Sequence, residues 1–264
     1  MTSYTDIIVE HHDGVALLKF NRPEKLNSMG GTMIAETIHF LDSLNSGEYN
    51  ARAVVLTGEG RAFCAGGDVT GFPGVNPGRQ RPPWRRPHPE GSSILAMRNC
   101  DVPIIGAING YAVGGGFGLA LGTDFRICAD NAIFQVAQVK RGLSADVGLP
   151  FLLQAAVGTQ RAMELVTTAR RVDAQEALAL GLVLEVVPKE QLIERALEIA
   201  RTVAKGPPLA YAATKRLIYT PHNDALSRVE EMTGMYIAKL FETEDGIEGA
   251  RSFIERREPE FKGR

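Results

Sequence analysis

Asp146 stands in the stretch GLSADVG, flanked by Leu143, Val147 and Leu149. A carboxylate set in an apolar wall is desolvated, so its pKa rises and it becomes a better base than an exposed one. The same stretch permits another reading, in which Asp146 caps a helix starting near Gly148. Two further segments share one grammar. AVVLTGEGRAFCAGGD and PIIGAINGYAVGGGFGLAL each run from an apolar strand through a glycine-rich turn toward a helix. Gly114, Gly115, Gly116 and Gly118 fall within five consecutive positions, and glycine is costly inside a regular element, so they need a reason. Turns of this kind can aim backbone N–H groups into a cleft, and a helix N-terminus adds positive potential. Two such groups converging on one point stabilise negative charge developing on an oxygen. The alternative is tight packing of strand on helix, and spacing alone leaves both open.

Other chemistries lack their residues. GxGxxG cannot be placed on Gly114, Gly116 and Leu119, and neither GxxxxGK[ST] nor GxSxG occurs. His11, His12, His39, His88 and His222 show no metal-ligand spacing, so no metal site is expected.

The elements that must position these residues follow from periodicity. DIIVE and VALLKF flank the turn signal HHDG and predict a hairpin. Met33, Ile34, Ile38, Leu41 and Leu44 predict a helix over about Thr32–Leu44. ARAVVLTG suits a strand buried on both faces. Val69 to Ser93, rich in Pro, Gly and Arg, reads as a mobile surface loop. Its Arg79, Arg81, Arg85 and Arg86 are either phosphate contacts or a solvated face, and Trp84 and His88 read as incidental. ILAMRNC predicts a helix, and VPIIGAI, DFRICAD and AIFQVA predict strands. From Leu149 onward helices dominate, broken by one strand, GLVLEVVP. An α/β core over 1–206 and a helical segment over 207–264 are expected.

The 264 residues are 44% hydrophobic and 23% charged, ordinary values for a globular protein. A net charge of -2 indicates no nucleic-acid partner, and no run approaches the length of a membrane helix. Cys64, Cys100 and Cys128 form no CxxC pair and read as buried free thiols. The opening MTSYTDIIVEHHDG has no basic start or long apolar run, and the cytoplasm is the expected location.

Taken in order, NRPEKLNSM, AVVLTGEGRAFCAGGD, VPIIGAINGYAVGGG, DFRICADNAIFQVAQVKRGLSADVG, VGTQRAMELVTTARRVDAQEALALGLVLEVV and FIERREPEFKGR resemble the crotonase family, also called enoyl-CoA hydratase/isomerase. The resemblance implies a spiral of ββα units with a C-terminal helical region for trimer formation, often as a dimer of trimers. It implies an acyl-CoA thioester substrate, coenzyme A being part of the substrate, and no separate cofactor. By motif position, the thioester oxygen takes hydrogen bonds from the N–H groups of Gly67 and Gly115. Coenzyme A contacts carry over to Lys25, Leu26 and the loop beginning at Ala65, while Asp68 fixes its own loop.

The chain departs from the family where hydratases keep two glutamates. Those positions are Gly118 and Gln138 here, so the hydratase pair is absent. The remaining acid is Asp146, in a string similar to dienoyl-CoA isomerases, which carry acids at three places. A single carboxylate suffices for a 1,3-proton shift, and Gln138 is a candidate to orient a substrate group or a water. Gly118 is expected to leave room for a bulkier acyl group, or to be a plain small helix residue. An isomerase is the leading reading. The alternatives are a hydratase or hydrolase using Asp146 and a water, and a non-catalytic acyl-CoA-binding or RNA-associated scaffold.

Overall fold

The computed structural model describes residues 3–69 and 92–264. Arg79, Arg81, Trp84, Arg85, Arg86 and His88 lie outside the described residues.

Strands β1 (Ile7–His12) and β2 (Val15–Phe20) pair antiparallel, with His12 opposite Val15. Asp13 and Gly14 both adopt positive φ (50° and 83°), the backbone that a two-residue hairpin demands. Helix α1 (Met33–Asn45) follows, burying Met33, Thr37, Phe40, Leu41 and Leu44. From here one unit repeats. β3 (Ala53–Gly58) leads to β4 (Ala62–Cys64) and, beyond the undescribed segment, α2 (Ser93–Asn99). β5 (Ile104–Ile108) leads to β6 (Tyr111–Val113) and α3 (Gly115–Gly122). β7 (Phe125–Ala129) leads to β8 (Ile133–Gln135) and α4 (Leu149–Thr168), which kinks at Gly158. Then come β9 (Val172–Asp173), α5 (Ala174–Ala179), β10 (Val186–Val187), α6 (Leu192–Ala204), α7 (Pro208–Leu240) and α8 (Glu244–Glu255).

Each repeat gives one strand to each of two sheets, ordered β1-β2-β3-β5-β7-β10 and β4-β6-β8-β9. Within the repeats, neighbouring strands run parallel. This is the α/β spiral expected of a crotonase fold, closed by a C-terminal helical region.

β3 is buried along its whole length, because both faces of the larger sheet are covered. Ala53 and Val55 pack with Ile105, Ile127 and α6 residues such as Ala196 and Ala200. Val54 and Leu56 face the main core, with Phe20, Phe63 and Ile104. The alternation is the two-residue period of a strand.

The structure departs from expectation in several places, among them the short strands β4 and β6, which fall in stretches read as loop and turn. The Pro/Arg-rich loop was expected to run to Ser93, but α2 begins there, because Ser92 Oγ accepts from Leu95 N at 3.0 Å and caps it. GLVLEVVP contributes only Val186–Val187, since Leu182 and Val183 are spent on core burial before the strand. The second half also holds a further strand, Val172–Asp173, paired antiparallel with β8. Two residues are too short for a periodic signal. Among the described residues no helix is long and apolar enough to cross a membrane.

Candidate active site

β4 and β6 are parallel neighbours, with Ala62 opposite Tyr111 and Cys64 opposite Ala112. Parallel strands end at the same edge, so the turns that follow them meet. A Cβ on Gly66 would stand 2.7 Å from Val113 O and 3.4 Å from Gly115 N. A Cβ on Gly116 would collide with the Cys64 carbonyl. These glycines therefore permit the close approach of two backbones, and that approach juxtaposes the turns.

The direction of the Gly67 N–H follows from its neighbours. Met29 N donates to Gly66 O at 2.7 Å, and Asp68 N donates to Met29 O at 3.0 Å. Successive peptide groups of an extended chain point to opposite sides, so the exposed Gly67 turns its N–H away from Met29. Gly115 is the first residue of α3, where an N–H has no carbonyl within the helix. Both groups can thus donate outward.

The loop before Met29 braces this edge. Leu26 and Asn27 adopt positive φ (53° and 54°). Asn27 Nδ2 donates to Glu59 O and Ala62 O at 2.9 and 2.8 Å. Leu26 O accepts from Ala65 N at 3.0 Å. Asp68 accepts from Arg22 Nη2 at 3.4 Å and Lys25 Nζ at 3.3 Å. Lys25, Leu26, Ala65 and Gly67 therefore share one rim, with the Lys25 side chain exposed.

Asp146 comes from the opposite wall. Gln138 Nε2 donates to Asp146 Oδ1 at 2.9 Å. Gln138 itself lies against the glycine triplet, its Cδ 3.5 Å from where a Gly114 Cβ would stand. Val147 Cγ2 would be 2.9 Å from a Gly115 Cβ. Burial raises the Asp146 pKa, and the Gln138 hydrogen bond opposes that in part. The helix-capping reading of Asp146 does not hold: Gly148, at φ 65°, is the N-cap of α4 with no side-chain cap. Asp146 contributes only its backbone carbonyl, to Leu149 N at 3.0 Å.

Gly118 requires a correction. It was expected to leave space for substrate, but it is buried, and a Cβ there would collide with the Val147 carbonyl oxygen. The absent side chain accommodates the backbone that carries Asp146, not an acyl group.

Met29, and the contact of Val147 with the glycine turn, escaped the sequence reading. The end of the Met29 side chain and Val147 cover the Cα of Gly115. Both lie in segments singled out above, but contacts across the spiral leave no trace in spacing. Cys64, directly behind the turns, is fully buried, which pushes its thiol up to about 12 and denies it a nucleophile's role. Among the described residues no group of three or more His, Cys, Asp or Glu could hold a metal ion.

The arrangement can hold an oxygen between two N–H groups beside a desolvated carboxylate. The family model described as enoyl-CoA hydratase/isomerase matches residues 10–264. A probable enoyl-CoA hydratase of Rhodobacter capsulatus is 34% identical over 99% of this chain and 100% of that protein. The crystal structure of an enoyl-CoA hydratase/isomerase from Pseudoalteromonas atlantica T6c superposes with a TM-score of 0.87 at 28% identity, covering 98% of this chain and 100% of that one. A monofunctional enoyl CoA isomerase from M. smegmatis superposes with a TM-score of 0.69 at 36% identity, covering 86% of this chain and 98% of that one.

Proposed function

The chain belongs to the enoyl-CoA hydratase/isomerase family, which acts on acyl-CoA thioesters, and from that premise we propose that it moves a double bond of an unsaturated acyl-CoA by a one-base proton shift. The thioester oxygen accepts from Gly67 and Gly115. Lys25, Leu26 and Ala65 hold the coenzyme A. Asp146 takes a proton from the α-carbon, the electron pair passes through the enolate, and the protonated Asp146, whose proton exchanges in part with solvent, delivers a proton to the γ-carbon. The oxyanion donors are each worth about 3–4 kcal/mol of barrier. The observation that carries this reading is the desolvated Asp146 carboxylate beside the Gly115 turn, with Gly118 and Gln138 at the hydratase acid positions. Gln138 can orient Asp146 but cannot titrate.

A second reading is favoured by the name of the Rhodobacter capsulatus relative. Here Asp146 activates a water that Gln138 holds, and the protein adds that water across the double bond or hydrolyses the thioester. We also propose a homotrimer or hexamer formed through 207–264, located in the cytoplasm, the latter in keeping with the free buried thiols of Cys64, Cys100 and Cys128.

Incubating 2-enoyl and 3-enoyl CoA thioesters in heavy water separates the readings. Double-bond movement with deuterium exchange, lost in Asp146→Asn, supports the isomerase. Oxygen incorporated from labelled water supports the second reading. Tight binding without either outcome leaves a non-catalytic binder.

A further inference from the structure

Met29 belongs to neither glycine turn, yet it reaches both. Its backbone holds the first. Met29 N donates to Gly66 O at 2.7 Å, Asp68 N donates to Met29 O at 3.0 Å, and Met29 and Gly67 form a parallel bridge. These two bonds flank Gly67 and orient its peptide groups. Its side chain meets the second turn. Met29 Cε occupies the place that a Gly115 Cβ would need, and Sδ is 3.3 Å from that place. Side chains packed this closely transmit a displacement rather than absorb it.

Both ends of this strut are backed. At its base, Arg22 Nη1 donates to Ser28 O at 2.6 Å and Arg22 Nη2 to Asp68 Oδ2 at 3.4 Å. The Arg22 side chain is buried, so neither bond competes with open solvent. At its tip, Val147 Cγ2 lies 2.9 Å from the same Gly115 position. The two turns also touch directly at Gly66, one residue before the donor. Gly67 itself is oriented through its pairing with Met29.

We infer that Met29 is a positioning residue of the oxyanion hole, setting the separation of the Gly67 and Gly115 donors by acting through both. The inference rests on the proposed function, which puts the thioester oxygen between those two groups. An oxygen shared by two donors needs each of them within about 2.7–3.1 Å. A shift of either therefore weakens the hold on developing negative charge more than the hold on the neutral carbonyl.

The measurement is the infrared carbonyl frequency of a saturated acyl-CoA thioester, isotope-labelled at the carbonyl, bound to the native protein and to Met29 variants. Two well-placed donors polarise the carbonyl and lower its frequency. Met29→Ala keeps the backbone pairing and removes the side-chain contact. It is expected to lose most of that lowering and to slow α-proton exchange in heavy water about 10–100-fold. The Kd of the thioester is expected to change little. Met29→Val stops at Cγ and is expected to give the same loss, so the result does not hang on whether Met29→Ala folds. Met29→Leu places a Cδ where Sδ stands at nearly the same volume, and is expected to restore both readouts. A native carbonyl frequency and exchange rate in Met29→Ala and Met29→Val would overturn the inference. A loss that Met29→Leu does not restore would overturn it too. Failure of the isomerase reading shows elsewhere, as absent double-bond movement by the native protein, and leaves the carbonyl frequency readable because that needs only a bound thioester.

Discussion

At the scale of residues, Asp146 is held between two opposing influences. Burial lifts its pKa above the ordinary carboxyl value of 3.8, while the Gln138 amide pulls it down. The base must be ionised to work, so kcat/KM for proton exchange is expected to fall on the acid side with an apparent pKa above 3.8. Asp146→Asn removes the base and is expected to slow exchange by about 10²–10⁴-fold, with that acid limb gone. The same substitution has a stability signature. A folded pKa above the unfolded one favours the fold while the group is protonated, and this advantage is lost as pH rises through the folded pKa. At neutral pH the native carboxylate is therefore a burden. Asp146→Asn keeps an acceptor for Gln138 and should be as stable or more stable there, its advantage shrinking at mildly acidic pH. Urea midpoints at the two conditions check the sign. Gly118→Glu places an acid at the position hydratases use, yet the Val147 carbonyl occupies the space. It is expected to destabilise by about 1–3 kcal/mol without creating hydration, which denaturation and a labelled-oxygen assay read together.

At the scale of elements, the active-site segment is backed by α8. A Cβ on Gly142 would stand 2.6 Å from Asp245 O, and a Cβ on Gly249 would collide with the backbone of Arg141. The Arg141 guanidinium lies 4.0 Å from the Phe253 ring centroid, completing the contact. Gln138 sits on the short helical turn Gln138–Arg141 that α8 supports. Gly249→Ala should therefore loosen α8 and displace Gln138, raising amide hydrogen exchange in both 138–146 and 244–255 while lowering kcat. Faster exchange confined to α8, with kcat unchanged, would show that the segment holds its shape unaided.

At the scale of the whole molecule, α7 is tied to the spiral most deeply at the Asp124 carboxylate. Asp124 accepts from Lys215 Nζ at 2.8 Å, from Tyr219 Oη at 2.8 Å and from Ile104 N at 2.7 Å. Lys215 is 7% exposed, so the pair is shielded from water. Lys215→Ala leaves the carboxylate short of its cation and is expected to cost about 3 kcal/mol in urea unfolding. The outer faces of α7 and α8 keep Leu209, Leu217, Ile218, Met235 and Ile254 more than half exposed. Sedimentation is expected to give three or six times the chain mass, and a monomer would sink the proposed trimer or hexamer.

Much of this was legible in one dimension. Alternating and continuous apolar runs fix the strand faces, the Asp13–Gly14 turn closes the hairpin, and the two glycine turns announce a close backbone approach. These signals are local, written in a period or a backbone preference. What the sequence alone determined was therefore the family, the longer strands and helices and the candidate residues Gly67, Gly115, Gln138 and Asp146, while the short strands Ala62–Cys64, Tyr111–Val113 and Val172–Asp173 left no periodic signal. The tertiary structure alone decided who touches whom. It brought Met29 and Val147 onto Gly115, tied Gln138 to Asp146, and filled the space at Gly118 with the Val147 carbonyl. The contacts on Gly115 and Gly118 join segments of different repeats, Gln138 and Asp146 meet through the fold of one connection, and chain spacing carries no record of which atoms meet when the spiral closes.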